Sequence, residues 1–157
     1  MHDSLRSNNL IEVGVIGSSG HAKRIIKILE KNRNVLIKYI YTSKKIKHSD
    51  KRLTNNLKKL FSTKALFILA PTHLHKYYLK HFNKYNGYIF CEKPILSPKD
   101  SDDFIKNKKN IFVNYNQRYS DLRKKLYKLI HKKNFGNLVK ISVDIRHGLA
   151  WKKQYKN

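Results

Sequence analysis

Two rhythms of apolar and polar residues alternate along this chain. Short apolar runs from Ile11 to Ile16, Val35 to Tyr41, Ala65 to Ala70, Tyr88 to Cys91 and Ile111 to Asn114 read as strands. The Ala65 to Ala70 run is apolar throughout, as a strand buried on both faces of a parallel sheet should be. Helical spacing fills the gaps between them. Ala22, Ile25, Ile26 and Leu29 fall on one helix face, and so do Leu74, Tyr78 and Phe82, with Thr72 as the expected N-cap. Leu53, Leu57, Leu60 and Phe61 predict a short helix. Ser97-Pro98-Lys99-Asp100 reads as a helix start, with the helix running to about Asn107. Ser120-Asp121 caps a further helix with Leu122, Leu126, Leu129 and Ile130 on its inner side. Strands alternating with helices predict an α/β fold with a doubly wound parallel sheet. From Leu138 to Ile145 the rhythm changes to strict alternation, the mark of a half-exposed antiparallel strand. The pattern therefore predicts one domain over residues 10–135 and the start of a second, antiparallel α/β domain over 136–157.

Composition narrows the picture less than the charge suggests. The 157 residues carry a formal charge of +25, and 40% of them are hydrophobic, enough for a core. A basic excess of this size suggests nucleic acid. But lysine outnumbers arginine 28 to 7 and is spread along the chain, whereas base and phosphate recognition favours the arginine fork. A joint excess of Lys, Asn, Ile and Tyr reads as coding bias, so the expectation is salt-sensitive adhesion to polyanions without specific nucleic-acid binding. No apolar run is long enough for a membrane helix, and the first residues lack a signal-peptide core. The single cysteine excludes an internal disulfide. No membrane partner and a cytoplasmic location are expected. His73 and His75, two residues apart, do not share a helix face, so no metal site is expected.

The candidate chemistry lies where strands end. After the first strand, Gly17-Ser18-Ser19-Gly20-His21-Ala22 leads into the first helix. Strand, glycine turn and helix form the first half of a dinucleotide site, with the helix N-terminus offering N–H groups to a pyrophosphate. Against the pattern G-x-G-x-x-G/A, the second glycine is Ser19, whose Cβ would crowd the phosphates or whose hydroxyl would bond one; Ala22 is an allowed third. At the end of the second strand, Thr42-Ser43-Lys44-Lys45 stands where NAD-binding chains place an acid. Hydroxyls and ammonium groups suit a 2′-phosphate better, which favours NADP over NAD, although lysine is common everywhere here. The fourth run ends in Cys91-Glu92-Lys93-Pro94, placing one of only three glutamates beside a lysine at the ligand-binding edge of the sheet. A solvated ion pair is the plain alternative.

The order of strand-GSSGHA-helix, Ala70-Pro71-Thr72-x-x-His75, Cys91-Glu92-Lys93-Pro94 and Asn116-x-Arg118-Tyr119 resembles the Gfo/Idh/MocA oxidoreductases, of glucose–fructose oxidoreductase and inositol dehydrogenase type, over about residues 11–147. The resemblance implies a Rossmann domain that holds NAD or NADP, followed by a C-terminal domain that supplies much of the pocket for a sugar or cyclitol. It implies that Lys93 reaches the substrate hydroxyl or carbonyl and that Glu92 and Pro94 set the loop geometry. Ala70, Pro71, Thr72 and His75 would line the nicotinamide side, and Arg118 would contact substrate near the domain junction. Family members are commonly more than twice this long, and the later His and Asp of their catalytic group have no counterpart here. The expectation is therefore a truncated oxidoreductase, inactive alone. The competing expectations are a non-catalytic module that associates with itself or a partner through a strand at 138–147 and, less favoured, a basic nucleic-acid binder.

Overall fold

A computed structural model describes residues 10–45, 50–132, 136–142 and 144. The expected α/β fold is present. Six strands, β1 (Ile11–Ile16), β2 (Val35–Tyr41), β3 (Leu53–Thr54), β4 (Ala65–Ile68), β5 (Tyr88–Glu92) and β6 (Ile111–Asn114), form one sheet in the order β3-β2-β1-β4-β5-β6. Every pairing is parallel. The order reverses direction between β1 and β4, which opens a crevice at their carboxyl ends.

Strands β1, β2 and β4 feed two cores, one on each face of the sheet. Helix α1 (Gly20–Glu30) packs Ala22 and Ile26 on one face, against Val13, Val15, Ile37, Ile40 and Ala65. Helix α2 (Thr72–His81) and a 3-10 turn at Leu57–Ser62 cover the other, where Leu60, Leu66, Ile68, Leu79, Phe82, Ile89 and Cys91 are buried. The β1–β2 register skips a residue between Val13 and Gly14, so that Gly14 pairs with Tyr39 and Lys38 is the extra residue of a bulge. That bulge is why Ile37 and Ile40, three positions apart, share a face. Beyond α1, a row of stacked rings, Phe67, Phe90 and Phe112, runs across β4, β5 and β6 with centroids 5.0 and 5.3 Å apart.

Some sequence expectations need correcting. Leu53–Thr54 is a two-residue strand, and only Leu57–Ser62 coils, as a 3-10 turn. Thr72 is the first helical residue; Pro71 holds the cap position without a side-chain bond. Residues 98–107 form turns and no helix, although Phe104 and Ile105 still pack on the core. Two apolar residues anchor that segment without needing a helical face.

The chain divides into two compact units, one ending at Tyr115 and the next starting at Asn116. The change of pattern near residue 136 falls inside the second. There, α3 (Asp121–Ile130) is capped by the Ser120 hydroxyl, which accepts from Arg123 N–H at 3.3 Å. Leu122, Leu126 and Leu129 are exposed on it rather than turned inward. Residues 138–142 are exposed and join no strand; Val143 and residues 145–147 of the expected strand lie outside the described residues. Among the described residues no helix is long and apolar enough to cross a membrane.

Candidate functional site

The crevice is built by four strand ends. Gly17 takes φ +127°, and a Cβ there would lie 2.8 Å from the Leu69 carbonyl oxygen. Only glycine lets the β1 turn lie against the backbone that follows β4. Ser19 is the N-cap of α1: its hydroxyl accepts from the Ala22 N–H at 3.4 Å. Of the two readings of Ser19, the hydroxyl already has a backbone partner, and a phosphate here would meet the N–H groups that open the helix at Gly20 and His21.

The end of β2 is held close to this turn. Ser18 and Thr42 hydroxyls are 3.2 Å apart, and Gly17 N–H donates to Tyr41 O at 3.1 Å. The Thr42 hydroxyl also accepts from Lys44 N–H at 3.2 Å, and the Asn55 side chain donates to the carbonyls of Thr42 and Lys44. Thr42 is buried, so these bonds set the path of the Ser43-Lys44 loop. Gly17, Ser18, Ser19, Thr42, Ser43, Lys44, Ala70 and Pro71 line one cavity of about 240 Å³, with Tyr41, Leu69, Leu74 and Tyr78 as its apolar wall. Strand and helix periodicity mark those four only as apolar positions; nothing local shows that they face a cavity.

A larger cavity of about 540 Å³ adjoins it through Ser18, Thr42 and Lys44 and adds Lys23, Lys27, Lys45 and Arg52. Its two carboxylates are occupied: Glu30 and Asp50 accept from Arg52 at 2.7 and 2.8 Å. The Arg52 side-chain and backbone bonds hold the Asp50 carboxyl below the ordinary aspartate range. The remaining polar lining is lysine and hydroxyl, a set suited to phosphate oxygens. Lys23, Lys27 and Arg52 belong to no local motif, because what gathers them is the approach of α1 to β3.

Glu92 and Lys93 stand at the end of β5 and line neither cavity. Glu92 accepts from His21 Nε2 at 2.8 Å and from Asn114 Nδ2 at 2.6 Å, and Lys93 N–H donates to it at 3.3 Å. Burial would push this carboxyl up, but the bonds from His21 and Asn114 outweigh it and hold it below the usual glutamate range. His21 follows Gly20 and Glu92 precedes Lys93, so this bond puts the glycine turn and the lysine on the same sheet edge. Lys93 itself is exposed. Cys91 just beneath is fully buried, and burial followed by the Glu92 charge pushes its thiol up to about 12, so it is inert.

His75 stands behind the wall rather than on it. It is 1% exposed, with Nε2 2.8 Å from Ala70 O and Nδ1 2.9 Å from Pro94 O. An imidazole with protons on both nitrogens donates to both carbonyls; with one proton it holds one. The ring thus braces the β4 loop against the Lys93-Pro94 loop. Thr72 is half-buried, and Arg118 lies in the second unit, exposed on a 3-10 turn at Asn116–Tyr119. Among the described residues no group of three His, Cys, Asp or Glu side chains could hold a metal ion.

Comparison with known proteins agrees with this fold. Residues 11–113 match the model of an oxidoreductase family with an NAD-binding Rossmann fold, GFO_IDH_MocA. Among solved structures, a myo-inositol 2-dehydrogenase from Lactobacillus plantarum is 19% identical at a TM-score of 0.64, over 81% of this chain and 42% of its own. The WlbA dehydrogenase of Chromobacterium violaceum, in complex with NADH and UDP-GlcNAcA, is 17% identical at a TM-score of 0.69, over 83% of this chain and 42% of its own. A scyllo-inositol dehydrogenase from Lactobacillus casei with bound NAD(H) and scyllo-inositol is 15% identical at 0.64, over 81% and 42%. The chain thus spans less than half the length of these structures. No curated protein matches it.

Proposed function

Because the chain belongs to the GFO_IDH_MocA oxidoreductase family through its NAD-binding Rossmann fold, we propose that it holds NAD or NADP across the carboxyl edge of the sheet and serves hydride transfer at a sugar or cyclitol carbon. The observation that carries this reading is the His21–Glu92 bond of 2.8 Å, which joins the phosphate-binding turn to the Lys93 loop. The residues fit the cofactor. The turn around Gly17 and the first N–H groups of α1 would receive the pyrophosphate. Ser18, Thr42, Tyr41 and Leu74 would enclose the adenosine end.

When bound, the nicotinamide accepts or gives the hydride. The chain's own part is to bring Lys93 to the substrate oxygen. In the oxidative direction an uncharged Lys93 amine takes the hydroxyl proton as the carbon loses hydride; in reduction the ammonium returns it. Its charge also steadies oxyanion character on that oxygen. Arg118 is proposed as a further substrate contact. The neighbours named for inositol and for UDP-GlcNAcA support the sugar or cyclitol class.

NADP is favoured within this reading, because both acids of the larger cavity are bound to Arg52 while Lys23, Lys27, Lys44 and Lys45 share its lining. Calorimetric titration with NADPH and NADH tests both levels. Saturable binding of either supports the cofactor site, and no binding at millimolar cofactor defeats it. Lys44→Ala is expected to weaken NADPH by about fivefold, a single exposed charge–phosphate contact of about 1 kcal/mol, and to leave NADH unchanged. Equal loss for both cofactors would remove the argument for NADP.

A further inference from the structure

We propose that His21 is a positioning residue for Lys93, acting through Glu92 as a strut between the glycine turn and the lysine loop. The strut's purpose rests on the dinucleotide reading above; its geometry does not. The Arg24 guanidinium can only donate, and its Nη2 lies 3.1 Å from His21 Nδ1. Nδ1 is therefore the lone-pair nitrogen, and the ring proton sits on Nε2, aimed at Glu92 Oε1 2.8 Å away. The same oxygen accepts from Asn114 Nδ2 at 2.6 Å, while Oε2 accepts the backbone N–H of Lys93 at 3.3 Å.

A continuous path thus runs Arg24 to His21 to Glu92, with Asn114 and the Lys93 backbone converging on the carboxylate. It starts in the first turns of α1 and ends at the paired carboxyl ends of β5 and β6, where Glu92 is opposite Asn114. The Glu92 side chain is 13% exposed, so water competes weakly for its oxygens. Pairing of β5 with β6 fixes the Glu92 backbone, but the side chain has its rotamer set by His21 and Asn114 together. A pyrophosphate at the N-terminus of α1 and a substrate at Lys93 would consequently be held at one separation by a side chain that touches neither reacting atom.

The test compares side chains that keep different halves of the imidazole. In His21→Gln the amide nitrogen occupies the reach of Nε2 and can donate to Glu92. In His21→Asn an oxygen can still face Arg24, but the donor to Glu92 is lost. His21→Ala loses both. On the whole chain, labelled with ¹⁵N, the readouts are the His21 ring nitrogens, the Lys93 backbone amide and the Asn114 side-chain amide. The expected result is an Nε2–H tautomer in the wild type, displacement of the Lys93 and Asn114 signals in the Ala and Asn variants, and their return in the Gln variant. Arg24→Ala, at an exposed position, should leave the proton on Nε2, because the Glu92 carboxylate can only accept, and should leave the Lys93 and Asn114 signals in place; it covers the case in which His21→Ala fails to fold, since a switch to Nδ1–H there would overturn the strut equally. An Nδ1–H tautomer, unmoved Lys93 and Asn114 signals, or equal rescue by Asn and Gln would overturn the strut. Titration of the same samples with NADH and NADPH separates the two claims: absence of binding to the wild type removes the dinucleotide reading, while the spectra still decide the strut.

Discussion

Gly17 and Gly20 flank the same turn, yet they differ sharply in their tolerance of a methyl group. At Gly17, φ of +127° lies where L-residues are strained, a cost of about 1–3 kcal/mol. The added Cβ would also meet Leu69 O at 2.8 Å and Leu69 C at 3.0 Å. These are backbone atoms, fixed by the Leu69 N–H bond to Ile16 O at 2.8 Å, so they cannot swing aside as a side chain would. Overpacking of this kind adds about 1–3 kcal/mol. Gly17→Ala is therefore expected to cost about 2–6 kcal/mol, a large part of the stability of an ordinary domain. At Gly20 a Cβ meets nothing within 4 Å, and the residue opens α1. Gly20→Ala should be neutral or stabilising by up to about 1 kcal/mol. Urea denaturation of the two variants beside the wild type, followed by circular dichroism, measures both. A Gly17→Ala protein within about 0.5 kcal/mol of wild type, the range of an ordinary surface change, would refute the close-approach argument. So would a Gly20→Ala protein destabilised as much as Gly17→Ala, since it would show that the motif matters for a reason other than space.

Because the Glu92 carboxyl is held below its unfolded value, its bonds contribute above the unfolded pKa and are lost as pH falls through the folded one. The stability gap between wild type and Glu92→Gln should therefore be widest near neutrality and close below about pH 4, measured by denaturation at stepped pH; a gap independent of pH would count against the bonding scheme. His75→Leu fills similar volume but deprives Ala70 O or Pro94 O of its buried donor, and should cost about 1–3 kcal/mol in urea midpoint analysis, against near zero if the ring is only packing. Tyr85→Phe removes a buried hydroxyl that donates to Thr63 O at 2.7 Å and should cost about 1–2 kcal/mol by the same assay, with cofactor affinity unchanged.

Much of this architecture is written in local sequence. The five longer strands follow from apolar runs, and α1 follows from Ala22, Ile26 and their neighbours because a face that must be buried repeats at the helical period. Leu53 misleads for the same reason: it stands at helical spacing from Leu57 and Leu60, but its backbone pairs with Ile40, and nothing local signals a two-residue edge strand. The leucines of α3 carry a helical period correctly and still sit exposed, because period reports a face and not its partner. In the site, glycine turn, hydroxyls and lysine are legible as types at strand ends. What they bond is not. The partners of His75 are two backbone carbonyls, and those of Glu92 lie on α1 and β6, distances along the chain that no local pattern encodes.

The bulge at Lys38 has a bearing on the crevice as well. With the extra residue, Ile40 keeps company with α1 while Tyr39 and Tyr41 turn toward the α2 side, where Tyr41 meets Tyr78 edge-on at 6.0 Å. Remove it and the parity of everything downstream inverts. Thr42 would swing away from Ser18, and the lysines after it would inherit the wrong side of the sheet. The reading frame of β2, more than any one of its side chains, chooses what a dinucleotide would meet there.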